Sequence, residues 1–201
     1  SIKSALNLMS NQKILIFVSS GRVYTLDPNL LPSGKSNPKS FIYYIEAGSN
    51  EKMINFFVAN ENSKLLLSST NGKGFVTNAF PLVSNQKKGK KVFNLKSNDT
   101  LFKVLICNQK YIAVINKSSK LLIYETDTLP ILQKGGGVQL IKIKKDDFLS
   151  DVTQLTIEDG LEWSTGSKNR KLEDIEFWIG KRAQAGKKVP KFFNKNQKFN
   201  G

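Results

Sequence analysis

A chain of 201 residues with 39% apolar content and 13 phenylalanines is long enough to bury a sizeable core and too apolar to be a disordered tail. Its 31 Lys and Arg against 16 Asp and Glu give a net charge of +15, which points to a polyanionic partner, nucleic acid or an anionic membrane surface. The lack of histidine and the single cysteine, Cys107, exclude a His-based triad, an intrachain disulfide and a Cys-based metal site, and fit a reducing cytosol.

A carboxylate-only or lysine-based site is left open by composition. No apolar run reaches the roughly 20 residues of a membrane span. The start at Ser1 shows no charged segment leading into an apolar one, so no signal peptide is expected, and without an initial Met the chain reads as a piece of a longer protein.

In chain order the dominant signal is the β-strand. Short runs of β-branched and aromatic residues bounded by turn residues predict strands over 13–18, 22–26, 41–45, 54–59, 64–68, 74–77, 91–95, 101–106, 111–115, 120–124, 138–143 and 152–157. One short helix is expected over 172–179. Tyr24, Tyr43, Tyr44, Tyr111 and Tyr124 sit in apolar strand patterns and are read as core, as are Trp163 and Trp178.

The strands repeat. Lys13-Ile-Leu-Ile-Phe-Val-Ser-Ser-Gly-Arg-Val-Tyr-Thr aligns with Lys64-Leu-Leu-Leu-Ser-Ser-Thr-Asn-Gly-Lys-Gly-Phe-Val-Thr. Gly21 falls on Gly72, Arg22 on Lys73 and Tyr24 on Phe75. A third copy, starting at Tyr111, puts Ser119 and Lys120 in the same columns, and a weaker fourth, starting at Gly160, supplies Ser167 and Lys168. Each copy is an apolar strand, a small-residue turn and a second strand that starts with a cation, which is a hairpin. A lone hairpin cannot bury its apolar face, so the copies must share cores. The expected fold is all-β, a propeller-like array of about four blades, open or with one incomplete blade. Repeat units are placed near 1–45, 46–95, 96–143 and 144–186, followed by a basic tail, 187–201, packed on the array.

Each hairpin is followed by a Gly and Lys loop: Pro32-Ser-Gly-Lys-Ser-Asn-Pro-Lys, Gln86-Lys-Lys-Gly-Lys-Lys, Gln133-Lys-Gly-Gly-Gly and Lys181-Arg-Ala-Gln-Ala-Gly-Lys-Lys. A strand is expected to resume after the first three. The charge is banded too. Acids are absent between Glu61 and Asp99 and after Glu176, and gather between Asp146 and Glu176. Basic glycine loops in register would stand along one edge, where glycine lets backbone approach a phosphate and lysine displaces counterions.

These loops and hairpins carry a family resemblance. Gln86-Lys-Lys-Gly-Lys-Lys and Gln133-Lys-Gly-Gly-Gly resemble degenerate forms of the glutamine, basic, glycine box of gyrase A C-terminal domains. The blade that starts at Lys64, Gly21-Arg-Val-Tyr-Thr-Leu with Leu31-Pro-Ser-Gly, and the end Trp178-Ile-Gly-Lys-Arg-Ala-Gln-Ala-Gly-Lys with Lys191-Phe-Phe and Asn196-Gln-Lys-Phe resemble the C-terminal β-pinwheel of bacterial topoisomerase IV A subunits, α-proteobacterial type. The resemblance covers nearly the whole chain.

It implies a non-catalytic domain that binds and bends duplex DNA on a basic rim and presents it to the strand-passage core. The catalytic tyrosine and metal-binding acids would lie in other domains, so no catalytic or metal-binding residue is assigned to this chain. The rim cations map to Lys35, Lys39, Lys87, Lys88, Lys90, Lys91, Lys134, Lys181, Arg182, Lys187 and Lys188, with Arg22, Lys73, Lys120 and Lys168 in second rank. The implied partners are duplex DNA, the catalytic domains of the same polypeptide and the topoisomerase IV B subunit. No cofactor is expected in this domain, since ATP and Mg would serve only the parent enzyme. The implied location is cytoplasmic and nucleoid-associated, with peripheral membrane association of the holoenzyme. A gyrase-type wrapping domain and a propeller-like protein-interaction module are the alternatives.

Overall fold

The computed structural model describes residues 12–32 and 37–200. Its strands are β1 (Ile14–Val18), β2 (Arg22–Leu26), β3 (Met53–Val58), β4 (Lys64–Ser69), β5 (Lys73–Asn78), β6 (Lys90–Lys91), β7 (Leu101–Ile106), β8 (Tyr111–Asn116), β9 (Lys120–Glu125), β10 (Val138–Gln139), β11 (Leu149–Leu155), β12 (Leu161–Thr165), β13 (Lys168–Leu172) and β14 (Lys187–Lys188). They form antiparallel sheets in the orders β3-β1-β2-β6, β10-β5-β4-β7 and β11-β8-β9-β14, and a two-stranded sheet β12-β13. The fold is all-β, an array of propeller-type blades.

The two-residue strands reveal how the array is stitched. β6 follows the hairpin of the second blade but pairs with β2 of the first. In the same way β10 crosses from the third unit to β5, and β14 from the fourth unit to β9. The second, third and fourth units therefore each run through a hairpin and a 3-10 turn and then make an excursion to the preceding blade before returning. The return strands β3, β7 and β11 pair with β1, β4 and β8.

The hairpin turns follow from their sequences. Gly21, Gly72 and Ser119 adopt φ of 85°, 85° and 62°, and their N–H groups donate to the carbonyls of Val18, Ser69 and Asn116. A three-residue turn that ends in a left-handed residue wants Gly or a small polar residue there. The fourth hairpin differs. Its turn is the pair Gly166-Ser167, and Gly166, at φ 58°, takes the left-handed position in place of the expected Ser167.

Three apolar cores lie between blades. Leu15, Phe17 and Val23 of the first blade meet Leu65, Leu67 and Phe75 of the second. Leu66 and Val76, on the opposite face, meet Ile112, Val114, Leu122 and Tyr124 of the third. Ala113, Ile115, Leu121 and Ile123 then meet Leu161 and Trp163 of the fourth. Alternate side chains point to opposite faces, so a strand buried on both faces reads as the unbroken apolar runs seen in β1, β4 and β8. Each such Leu, Ile or Phe contributes about 1.5–3 kcal/mol on burial. The outer face of the first blade is covered locally, because Phe41 closes over Ile14, Ile16, Val18, Tyr24 and Leu26.

Several expectations need correction. Residues 38–44 form a 3-10 helix, not a strand, because Pro38 opens it and the Asn37 side chain caps it by accepting from Lys39 N–H. Only Phe41 of that segment is buried, so Tyr43 (83% exposed) and Tyr44 stand on the surface and are not core. The expected strands at 91–95 and 138–143 shrink to β6 and β10, since after two residues the ladder gives way to bonds with the neighbouring blade's turn residues Gly21 and Gly72. The helix expected at 172–179 is a single 3-10 turn, Glu176–Trp178. Tyr24, Tyr124 and Trp163 are buried, Tyr111 is half-buried, and half-buried Trp178 packs on the third core.

Candidate nucleic-acid interface

The excursion loops are held by glycines that no other residue could replace cheaply. Gly89, Gly137 and Gly186 precede β6, β10 and β14 at φ of 69°, 72° and 73°. A Cβ on each would stand 2.7, 2.6 and 2.7 Å from the carbonyl oxygens of Val23, Gly74 and Leu121 on the receiving strands. Beyond the glycine, the left-handed residue that ends the neighbouring hairpin turn accepts the loop. Val92 and Phe93 N–H donate to Gly21 C=O, Leu140 N–H to Gly72 C=O and Val189 N–H to Ser119 C=O. The repeated turn is therefore also the socket for the basic loop of the next unit.

Successive loops also bond to each other. Gly135 N–H donates to Val92 C=O and Asn94 N–H to Gly135 C=O, which sets the third unit's loop beside the second's. Arg182 Nη1 donates to Gln139 C=O at 2.7 Å and Lys142 N–H to Gln184 C=O at 3.0 Å, which sets the fourth beside the third. The loops of units two, three and four thus form a continuous rim.

The rim concentrates charge. An open groove of about 930 Å³ is lined by Arg22 of the first unit, Lys87, Lys88, Lys90 and Lys91 of the second, and Lys134 of the third. Glu46 is the one acid on its wall, and Gln86 and Gln133 add amide groups. Lys90 Nζ donates to Pro81 C=O at 3.3 Å. Register sets Arg22 directly opposite Lys91, and Lys120 directly opposite Lys188. Like charges facing across a ladder destabilise it, so these pairs weaken the seams they lie on. Among the described residues the ion pairs are Lys13–Asp27 at 3.0 Å and Lys103–Asp151 at 2.7 Å, and neither involves a rim cation.

The remaining site residues are dispersed. Lys73 stands opposite Gln139, its N–H held by Ser69 Oγ. Lys120 N–H donates to Asn116 Oδ1. Lys181 is exposed at the fourth loop, where half-buried Arg182 braces β10. Lys187 Nζ lies 4.2 Å over the Phe177 ring. Lys39 is exposed on the 3-10 helix of the first unit and Lys168 at the start of β13. Lys35 lies outside the described residues. Sequence reasoning missed the groove's Gln86, Gln133 and Glu46, of which only the box glutamines had a signal. Among the described residues no cluster of His, Cys, Asp and Glu is placed to hold a metal ion.

Comparison with known proteins matches this architecture. The family model "DNA gyrase C-terminal domain, beta-propeller" matches residues 63–108 and 110–155, which fall on the second and third blades. The A subunit of DNA topoisomerase 4 from Rickettsia bellii is 35% identical over 98% of the chain, and that from Caulobacter vibrioides is 32% identical over 94%. The solved E. coli ParC C-terminal domain superposes with a TM-score of 0.78 at 25% identity, covering 91% of this chain and 78% of that one.

The chain belongs to the C-terminal β-propeller family of gyrase and topoisomerase IV A subunits.

It spans only 26% and 25% of the length of those two curated relatives. In that family the homologous region is a non-catalytic domain of a type II topoisomerase. Among the described residues no helix is long and apolar enough to cross a membrane.

Proposed function

We propose that this domain grips duplex DNA by its phosphates along the basic rim, bends it over successive blades and presents it to the strand-passage core of a topoisomerase IV holoenzyme. In this reading ATP and Mg serve the holoenzyme and the domain needs no cofactor. Its partners are duplex DNA, the cleaving domains of its own polypeptide and the B subunit; its place is the nucleoid. The observation that carries it is the groove where cations of three consecutive units converge beside a single acid, Glu46, with none of them in an ion pair among the described residues. Phosphate contacts fix position without reading sequence, so preference among sequences comes from their deformability.

The test is a salt titration of binding to a linear duplex by fluorescence anisotropy. Log affinity should fall against log salt with a slope of roughly −0.9 per phosphate neutralised. The combined Lys87→Gln, Lys88→Gln, Lys90→Gln and Lys91→Gln variant should flatten that slope by several units. A slope near zero in the parent chain would falsify the proposal. A gyrase-type wrapper would instead impart a marked chiral linking change on nicked circles ligated in its presence, and the degenerate boxes argue against that outcome.

A further inference from the structure

The fourth blade breaks the stitching rule. β2, β5 and β9 each receive a two-residue strand on their free edge, whereas β13 pairs only with β12 among the described residues. Ser164 N–H donates to Phe199 C=O, away from β13, so Ser164 and its opposite residue Asn169 form a pair without mutual hydrogen bonds. By antiparallel alternation the N–H and C=O groups of Asn169 and Lys171 then point outward from the open edge. An unpaired edge is a template for another extended chain.

Beside this edge lies a groove of about 540 Å³ within the size range of ligand sites. It combines Arg170, Lys171, Lys188 and Lys191 with Phe177 and Phe192, and none of its lining residues is acidic. The two rings are 58% and 75% exposed, unusual for phenylalanine in a chain whose strands bury their aromatics. Trp163, only 6% exposed, also lines it, and its indole N–H is buried without an acceptor. A buried donor of this kind normally finds a partner.

We propose that the β13 edge and this groove dock an extended acidic peptide segment of a partner protein. The segment adds a strand on Asn169 and Lys171, sets carboxylates against Arg170, Lys171, Lys188 and Lys191, and buries a bulky apolar side chain against Phe177 and Phe192. Charge disfavours the nearest alternative, a second copy of this chain, because β13 paired with β13 through Asn169 and Lys171 would set Arg170 directly opposite Arg170. Duplex DNA offers neither a strand for the edge nor an apolar group for the rings.

The probe is a fluorescein-labelled peptide of alternating Glu and Val with a central Phe, compared with the same peptide carrying Lys in place of Glu. The acidic peptide should bind the 201-residue chain and slow amide exchange at Asn169 and Lys171. Arg170→Glu and Lys171→Glu should each weaken capture by roughly tenfold through like-charge opposition. Asn169→Pro removes an outward donor at an edge that tolerates proline, and should abolish strand addition. Duplex binding should be unchanged in all three variants, which separates this proposal from the rim reading. It is overturned if the Lys peptide binds equally well, if β13 amides show no added protection at saturation, if Lys87→Glu rather than the edge variants removes capture, or if sedimentation shows the chain dimeric through this edge.

Discussion

Adjacent glycines in one loop should respond oppositely to the same methyl group. Gly137 has φ 72°, and an added Cβ would stand 2.6 Å from Gly74 O, a contact that backbone cannot avoid without moving β10 off β5. The left-handed conformation costs an L residue about 1–2 kcal/mol, and forcing the strand outward costs roughly 1–3 kcal/mol more. Gly136 has an ordinary φ, and its nearest neighbour would be Asn94 O at 3.7 Å. Gly136→Ala should therefore be neutral or stabilising by about 0.4–1 kcal/mol, through the unfolded chain. At about 2–4 °C per kcal/mol for a chain of this size, Gly137→Ala should lower the melting temperature by roughly 4–20 °C while Gly136→Ala does not lower it. Gly166→Ala separates the two costs, since φ is 58° but nothing lies within 4 Å. It should show the backbone cost alone. Thermal unfolding followed by near-UV circular dichroism measures all three. Equal melting temperatures for Gly136→Ala and Gly137→Ala would refute the claim that the loop glycine is a socket contact.

Further outcomes follow from the same geometry. Lys91→Gln relieves the pair with Arg22, so it should stabilise the fold by about 0.2–1 kcal/mol and yet weaken duplex binding with a salt slope shallower by roughly 0.9; urea denaturation and anisotropy read the two signs. Asp151 accepts from Lys103 Nζ at 2.7 Å and from Phe199 N–H at 2.8 Å, which ties the second blade, the third and the tail. Asp151→Asn should cost about 1.5–3 kcal/mol in urea denaturation. Burial holds the Tyr124 phenol, whose O–H donates to Leu140 C=O at 2.6 Å, well above the ordinary tyrosine range. Its contribution is complete below the unfolded pKa of about 10 and is lost as pH rises beyond it. The parent chain should therefore lose more stability than Tyr124→Phe between neutral and strongly alkaline pH. Burial likewise pushes the Cys107 thiol up, so its alkylation near neutral pH should be much slower than in the urea-unfolded chain.

The hairpins were legible because their chemistry is local. Gly21, Gly72 and Ser119 mark left-handed turn residues, and doubly buried strands announce themselves as apolar runs such as Leu65-Leu66-Leu67. The rim loops were recognisable as basic and in register, but their exchange between blades was not, because no local preference records which edge a two-residue strand will meet. Residues 41–45 show the limit: an aromatic and β-branched run that Pro38 and Asn37 turn into a 3-10 helix. The groove's composition was half readable. Lys87 to Lys91 are contiguous in sequence, while Arg22 and Lys134 reach them only through the crossing of β6 and the bridge at Gly135.

The exchange of short strands also governs how such an array can change length. The second, third and fourth units each carry the latch of their upstream neighbour, so a cut after Leu172 would remove not only the end of the chain but also the strand that closes β9. Losing or gaining a whole unit inside the array leaves each remaining latch with an equivalent socket, since Gly21, Gly72 and Ser119 receive their loops in the same way. Blade number is therefore free to drift by internal duplication, whereas truncation from the downstream end always unfastens one blade more than it deletes.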